Sequence, residues 1–104
     1  MTRRRPMERV GDLLDATARR LGLERELRQA RAAGTWEAIV AELVPAAAGA
    51  SKLVSVEGDV LVVDTDAPIV AQELRLRSPE LLAAMRAAPD GIPAREVRVR
   101  VRRV

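Results

Sequence analysis

The stretch from Lys52 to Leu74 constrains the fold more than any other part of the chain. It reads as strand, tight turn, strand, helix. Lys52-Leu53-Val54-Ser55-Val56 and Val60-Leu61-Val62-Val63 are rich in aliphatic and β-branched residues, which suit a pleated, half-buried surface. Gly58-Asp59 between them supplies the positive φ that a hairpin turn demands. Alternation places Val54 and Val56 on one face and Ser55 on the other. The second run is apolar on both faces, so it is expected to be covered on both or to meet a partner. Asp64-Thr65-Asp66 ends that run, and Asp66 or Thr65 is expected to cap the following helix. Pro68 fits the first turn of that helix, where no N–H is needed.

A chain of 104 residues makes one domain with a modest core. Trp36 is the only aromatic residue, so aliphatic side chains must fill that core. The absence of His and Cys excludes soft-ligand metal sites, thiol chemistry and histidine acid–base catalysis. The only carboxylate cluster is Asp64 and Asp66, with Glu57 and Asp59 at the other end of the second strand. Asp64-Thr65-Asp66 has the oxygen ligands a hard cation takes, but turn and cap chemistry already accounts for both aspartates. The expectation is a protein that is not an enzyme and holds no metal or cofactor. No apolar run approaches the ~20 residues of a membrane span, and no apolar segment follows Arg3-Arg4-Arg5 as in a signal peptide. A cytoplasmic location is the expectation.

The net charge of +3 hides a partition. Residues 1–34 carry nine arginines against five acids, residues 35–74 carry Lys52 against seven acids, and residues 75–104 carry eight arginines against three acids. A basic–acidic–basic layout suits nucleic acid at the two ends and a basic partner in the middle, unless the charges neutralise one another in the fold.

The remaining elements follow from periodicity. Residues 1–7 read as a disordered basic N-terminus whose Arg3, Arg4 and Arg5 can touch phosphate, and residues 8–104 as a single domain. Glu8 to Leu21 forms an amphipathic helix through Val10, Leu13, Leu14, Ala18 and Leu21, with Glu8, Asp12 and Asp15 early and Arg19 and Arg20 late, and Gly22 as its stop. Glu24 to Ala33 is a second, more polar helix closed by Gly34. Thr35 caps a third, Trp36 to Val44, whose apolar stripe is Trp36, Ile39, Val40 and Leu43. Ser78 as cap and Pro79 at the first position start a later helix, with Leu81, Leu82, Met85 and Ala88 facing inward. Glu96 to Arg102 alternates strictly, with Val97, Val99 and Val101 toward the core and Arg98, Arg100 and Arg102 on the other face. The expected core is therefore Trp36, Ile39, Val40, Val54, Val56, Leu61, Val63, Leu74, Leu82, Val97, Val99 and Val101.

The fold class is α+β: N-terminal helices pack on a three-stranded sheet in the order β-β-α-α-β. Lys52–Val56 is expected to be the central strand, with the last strand parallel to it.

Trp36-Glu-Ala-Ile39-Val40, the hairpin Leu53 to Val63, Val70-Ala71-Gln72-Glu73-Leu74, Pro79-Glu80-Leu81-Leu82 and Gly91 before Val97-Arg-Val-Arg-Val together resemble the DciA family. The resemblance runs from about Leu13 to Val104. The sequence departs from the family pattern at Ala41, where Gly is usual, at Gly49-Ala50-Ser51, where His with Ser or Thr is common, and at Val70, where Trp is common. The resemblance implies a KH-like domain of type II order, the replicative DNA helicase as partner, and a part in loading that helicase. It also implies DNA contact, for which Arg75, Arg77, Arg98, Arg100 and Arg102 are the candidates beside the N-terminal arginines, since the guanidinium fork suits phosphate. A KH-type single-stranded nucleic-acid binder is the alternative, although the junction Leu76-Arg77-Ser78-Pro79 has no GxxG loop. A homodimer through the uncovered sheet face would suit a second strand that is apolar on both sides.

Overall fold

The computed structural model describes residues 6–103, and the side chains of residues 13–103. The N-terminal arginines Arg3, Arg4 and Arg5, and the side chains of Glu8, Val10 and Asp12, lie outside that description. The order is α1 (Pro6–Leu43), a short 3-10 turn (Pro45–Ala47), β1 (Ser51–Glu57), β2 (Val60–Thr65), α2 (Pro68–Leu76), α3 (Ser78–Ala87) and β3 (Glu96–Val101).

Three N-terminal helices were expected from the glycines at 22 and 34; one helix of 38 residues runs through both. A glycine stops a helix by taking a positive φ beyond its last turn, and among the described residues only Gly49 and Gly58 have one. Inside a helix, glycine merely costs about 1 kcal/mol relative to alanine. Good helix formers surround Gly22. Ala32 and Ala33 precede Gly34, and Trp36 and Val40 pack into the core just after it. No proline interrupts either stretch, so the ladder continues. At neither glycine would an added Cβ meet any atom within 4 Å. Gly34→Ala, next to the anchored part of the helix, is therefore expected to stabilise the fold by about 1 kcal/mol, read as a raised thermal midpoint. Gly22→Ala is expected to raise the helical circular-dichroism signal with little change in that midpoint.

The reason for that difference is the course of α1. From Leu13 to Arg31 every residue is exposed, and burial begins at Ala32. The last turns carry Trp36, Val40 and the adjoining Val44 into the core, with Ile39 and Leu43 half-buried beside them. A 38-residue helix is about 57 Å long, and the molecule measures 68 Å along its longest axis. Its radius of gyration is 18.9 Å, against about 13 Å for a rounded domain of this length.

The sheet order is β1-β2-β3, with β1 antiparallel and β3 parallel to β2. This corrects two expectations: β2, not Lys52–Val56, is central, and the last strand runs parallel to the second strand. The physical reason lies in the composition of β2, whose Leu61, Val62 and Val63 are buried on both faces, as a central strand requires. Gly58 (φ 61) makes the turn between β1 and β2.

The register slips between Leu53, opposite Val63, and Ser55, opposite Val62. Val54 is the extra residue of a bulge and is 37% exposed, so Leu53 and Val56 share the core face instead of Val54 and Val56. At the end of β3, Val101 follows the inward alternation of Val97 and Val99 but is 47% exposed, because it is the strand's last residue.

The core lies between the sheet and the helices. Trp36, Val40, Leu61, Val63, Leu74, Leu81 and Met85 are all but inaccessible, and Leu53, Leu82, Val97 and Val99 close it. The Trp36 Nε1–H donates to Ser51 Oγ at 3.0 Å, which ties α1 to the start of β1.

None of the three expected side-chain caps forms as read, and Thr35 lies inside α1. Ala67 is the cap position of α2 and Arg77 that of α3, both without a side-chain cap bond. The Thr65 hydroxyl instead donates to the Ala50 carbonyl at 2.6 Å and accepts the Ala67 N–H at 3.3 Å, holding the entry to α2. The Ser78 hydroxyl donates backward to the Leu74 carbonyl at 3.1 Å. With only Arg77 between α2 and α3, Ser78 lies within reach of the carbonyls that α2 leaves unpaired.

Candidate functional site

The strand register builds the open face of the sheet in three rows: Lys52–Asp64–Arg100, Ser55–Val62–Arg98 and Glu57–Val60–Glu96. This face is a mixed lattice rather than an arginine stripe. Arg100 grips Asp64 with both arms of its fork, Nε to Oδ1 at 2.7 Å and Nη2 to Oδ2 at 3.2 Å. That contact raises the Arg100 pKa above its ordinary value, chiefly through the hydrogen bond. Arg98 reaches Glu96 at 3.4 Å. Val62, between these long side chains, is only 2% exposed. Its own neighbours cover it, so the second apolar face of β2 does not call for a second copy of the chain.

The other expected phosphate contacts are also partly committed. Arg75 Nη2 donates to the Val99 carbonyl at 2.9 Å. The parallel ladder turns that carbonyl to the free edge of β3, so the arginine covers part of the edge that another strand would seek. Arg77 pairs with Glu80 at 2.8 Å and lies 4.0 Å from Glu73. Its pKa is raised, first by the hydrogen bond to Glu80 and then by that carboxylate's charge. The Arg77 Nε is buried without a partner. Arg102 follows β3, is exposed, and has no ion pair among the described residues. These five arginines do not converge: two sit on the open face, one at the β3 edge, one at the α2–α3 junction and one beyond the last strand.

A cleft of about 610 Å³ opens where α1 leaves the body. Arg25, Arg28 and Arg31 line one wall. Val56, Ile92 and Pro93 supply its apolar surface above the buried Ala32, and the hairpin at Gly58 and the loop at Asp90-Gly91 form the far side. The far side is held by backbone bonds: Ile92 N–H to the Met85 carbonyl at 3.1 Å and Arg95 N–H to the Asp59 carbonyl at 2.7 Å. A Cβ at Gly91 would stand 2.6 Å from the Arg86 carbonyl oxygen, so the close turn there needs glycine. Arg25, Arg28 and Arg31 form no ion pair among the described residues.

Sequence reasoning missed this constellation. The signal was the spacing Arg25-x-x-Arg28-x-x-Arg31, which brings three guanidiniums toward one side of a helix. The facing loop is supplied only by the tertiary fold.

Asp64 is committed to Arg100, and among the described residues no group of three or more His, Cys, Asp or Glu stands close enough to hold a metal. No helix among the described residues is long and apolar enough to cross a membrane.

A family model described as "Dna[CI] antecedent, DciA" matches residues 9–99. No curated protein matches the chain.

Proposed function

From its membership of the DciA family, to which this chain belongs, we propose that it is a replication accessory protein that binds the replicative DNA helicase and assists its loading. Family membership associates the chain with helicase loaders, a generally non-enzymatic group. The match across residues 9–99 is the observation that carries the reading. The protein acts by contact: it shifts the helicase between closed and DNA-admitting forms by binding one of them more tightly. A cytoplasmic location follows from that role.

The shape supports such a role. Leu13, Leu14 and Leu21 lie exposed toward one side of the projecting part of α1. A helix with no tertiary cover is marginal in water, because most helical stability comes from packing an apolar face. Contact with a partner supplies that packing. DNA contact is auxiliary and falls to Arg102 and Arg98, two exposed arginines, one just beyond the chain's last strand and one within it.

The KH-like reading rests on the resemblance, and the succession β1-β2-α2-α3-β3 supports it. Ordinary KH recognition of single strands is disfavoured. α2 and α3 meet through Arg77 alone, which leaves no glycine loop to clamp a backbone.

Biolayer interferometry of the full chain against the replicative helicase of the same organism tests the proposal. Saturable binding at low salt is expected, weakened roughly tenfold by Leu14→Asp with Leu21→Asp while the thermal midpoint holds, as for loss of an apolar anchor. Absence of binding by the intact chain at low salt removes the helicase reading. Unchanged affinity in the double variant moves the contact away from α1.

A further inference from the structure

We propose that the cleft at the root of the projecting helix binds a short acidic segment of a partner protein, in which apolar residues are flanked by carboxylates. The inference stands apart from the helicase reading, since it does not require the segment to belong to the helicase.

Charge complementarity carries the argument. Arg77, Arg95, Arg98 and Arg100 each have a carboxylate within 4.0 Å, and Arg75 is spent on a backbone carbonyl. Arg25, Arg28 and Arg31 have no such partner among the described residues, yet they share one cleft. Like charges gathered on one wall repel, and a carboxylate ligand relieves that repulsion while accepting fork-shaped hydrogen bonds. Asp90 is the only acidic residue in the lining, and it lies across the cleft from the helix.

The apolar surface decides the class of ligand. Val56, Ile92 and Pro93 give aliphatic side chains a place to leave water, which phosphate groups do not need. A nucleic-acid site of this kind ordinarily adds an aromatic platform for the bases. Trp36, the only aromatic residue, is completely buried. The volume lies within the range of about 300–1,000 Å³ seen for ligand pockets, and the far wall is already pinned by the Ile92 and Arg95 backbone bonds. An acidic peptide with apolar residues matches both walls at once.

The test is fluorescence anisotropy with the full chain and a labelled hexapeptide, Glu-Glu-Leu-Leu-Glu-Glu. Saturable binding is expected. Arg25→Glu with Arg28→Glu is expected to weaken it about tenfold or more, through lost attraction and new repulsion. Both residues are exposed, so circular dichroism and the thermal midpoint should hold. Arg86→Glu with Arg103→Glu, exposed and outside the cleft lining, should change the affinity less than about twofold. Replacing the peptide's glutamates by glutamines, or its leucines by serines, should each weaken binding several-fold. No binding of the hexapeptide overturns the proposal, as does binding that ignores the charge reversal or tolerates either altered peptide. A short oligothymidylate bound more tightly than the peptide, and lost in the Arg25/Arg28 variant, overturns it in favour of nucleic acid. Failure of the peptide assay leaves the helicase measurement untouched, so the two readings fall separately.

Discussion

Trp36→Ala is expected to lower the thermal midpoint by roughly 15 °C or more, the largest effect of any single change considered. Truncating a fully buried tryptophan costs about 3–5 kcal/mol, and domains of this size shift by about 4–8 °C per kcal/mol. Trp36 has no exposed surface, and no other aromatic residue stands near to fill the void. It also stands near the point where α1 turns from solvent-exposed to buried. Losing it removes the anchor of the helix as well as a large part of the core. The indole N–H donates to Ser51, so Trp36→Phe should restore most of the packing but not that bond. Its cost should be clearly smaller than that of Trp36→Ala, and Ser51→Ala should add little to it because both remove the same contact. Thermal denaturation followed by circular dichroism reads all three variants. A midpoint within a few degrees of the parent for Trp36→Ala would contradict the placement of this residue.

The second large effect is expected from Thr65→Val. Thr65 is buried at the end of the central strand, and its hydroxyl serves two backbone groups: the Ala50 carbonyl and the Ala67 N–H. Valine keeps the shape and removes both bonds. A buried group left without its partner costs about 1–3 kcal/mol, and with two affected the loss should be about 2–3 kcal/mol, or roughly 10 °C in the thermal midpoint. Thr65→Ser retains the hydroxyl and should recover most of this loss. Hydrogen exchange separates the bond from general destabilisation. The Ala67 amide should exchange faster in Thr65→Val even where the core of β2 remains protected. Equal protection of Ala67 in parent and variant would rule the bond out.

The elements themselves were largely legible in the residues. The hairpin of β1 and β2 followed from two aliphatic runs around Gly58, and β3 from the strict alternation of Val97, Val99 and Val101 with arginines. Helices α2 and α3 were marked by Pro68 and Pro79 and by their apolar spacing. Local chemistry suffices there, because turn residues and periodicity act over a few positions. The glycines at 22 and 34 misled for the same reason. Their cost is small, and local propensity around Gly22 and core packing just after Gly34 outweighed it.

Other features were settled only by contacts distant in sequence. Val54 left the core because pairing with β2 inserted a bulge, a choice that depends on what Leu53 and Val56 meet across the sheet. The arginines of β3 lost their standing as a common patch because the parallel register set Arg100 beside Asp64, thirty-six positions away in the chain. The cleft at Arg25, Arg28 and Arg31 exists because α1 continues past the body while the loop from Asp90 to Pro93 faces it across the gap. Amino-acid order alone marked the strands and the two later helices but not the continuity of α1 through Gly22 and Gly34, and the absence of His and Cys excluded histidine and thiol chemistry. The tertiary structure decided which charges neutralise one another and which remain available. Side-chain reach is only a few ångströms, so the partner of a charge is set by packing and register and not by its place in the chain.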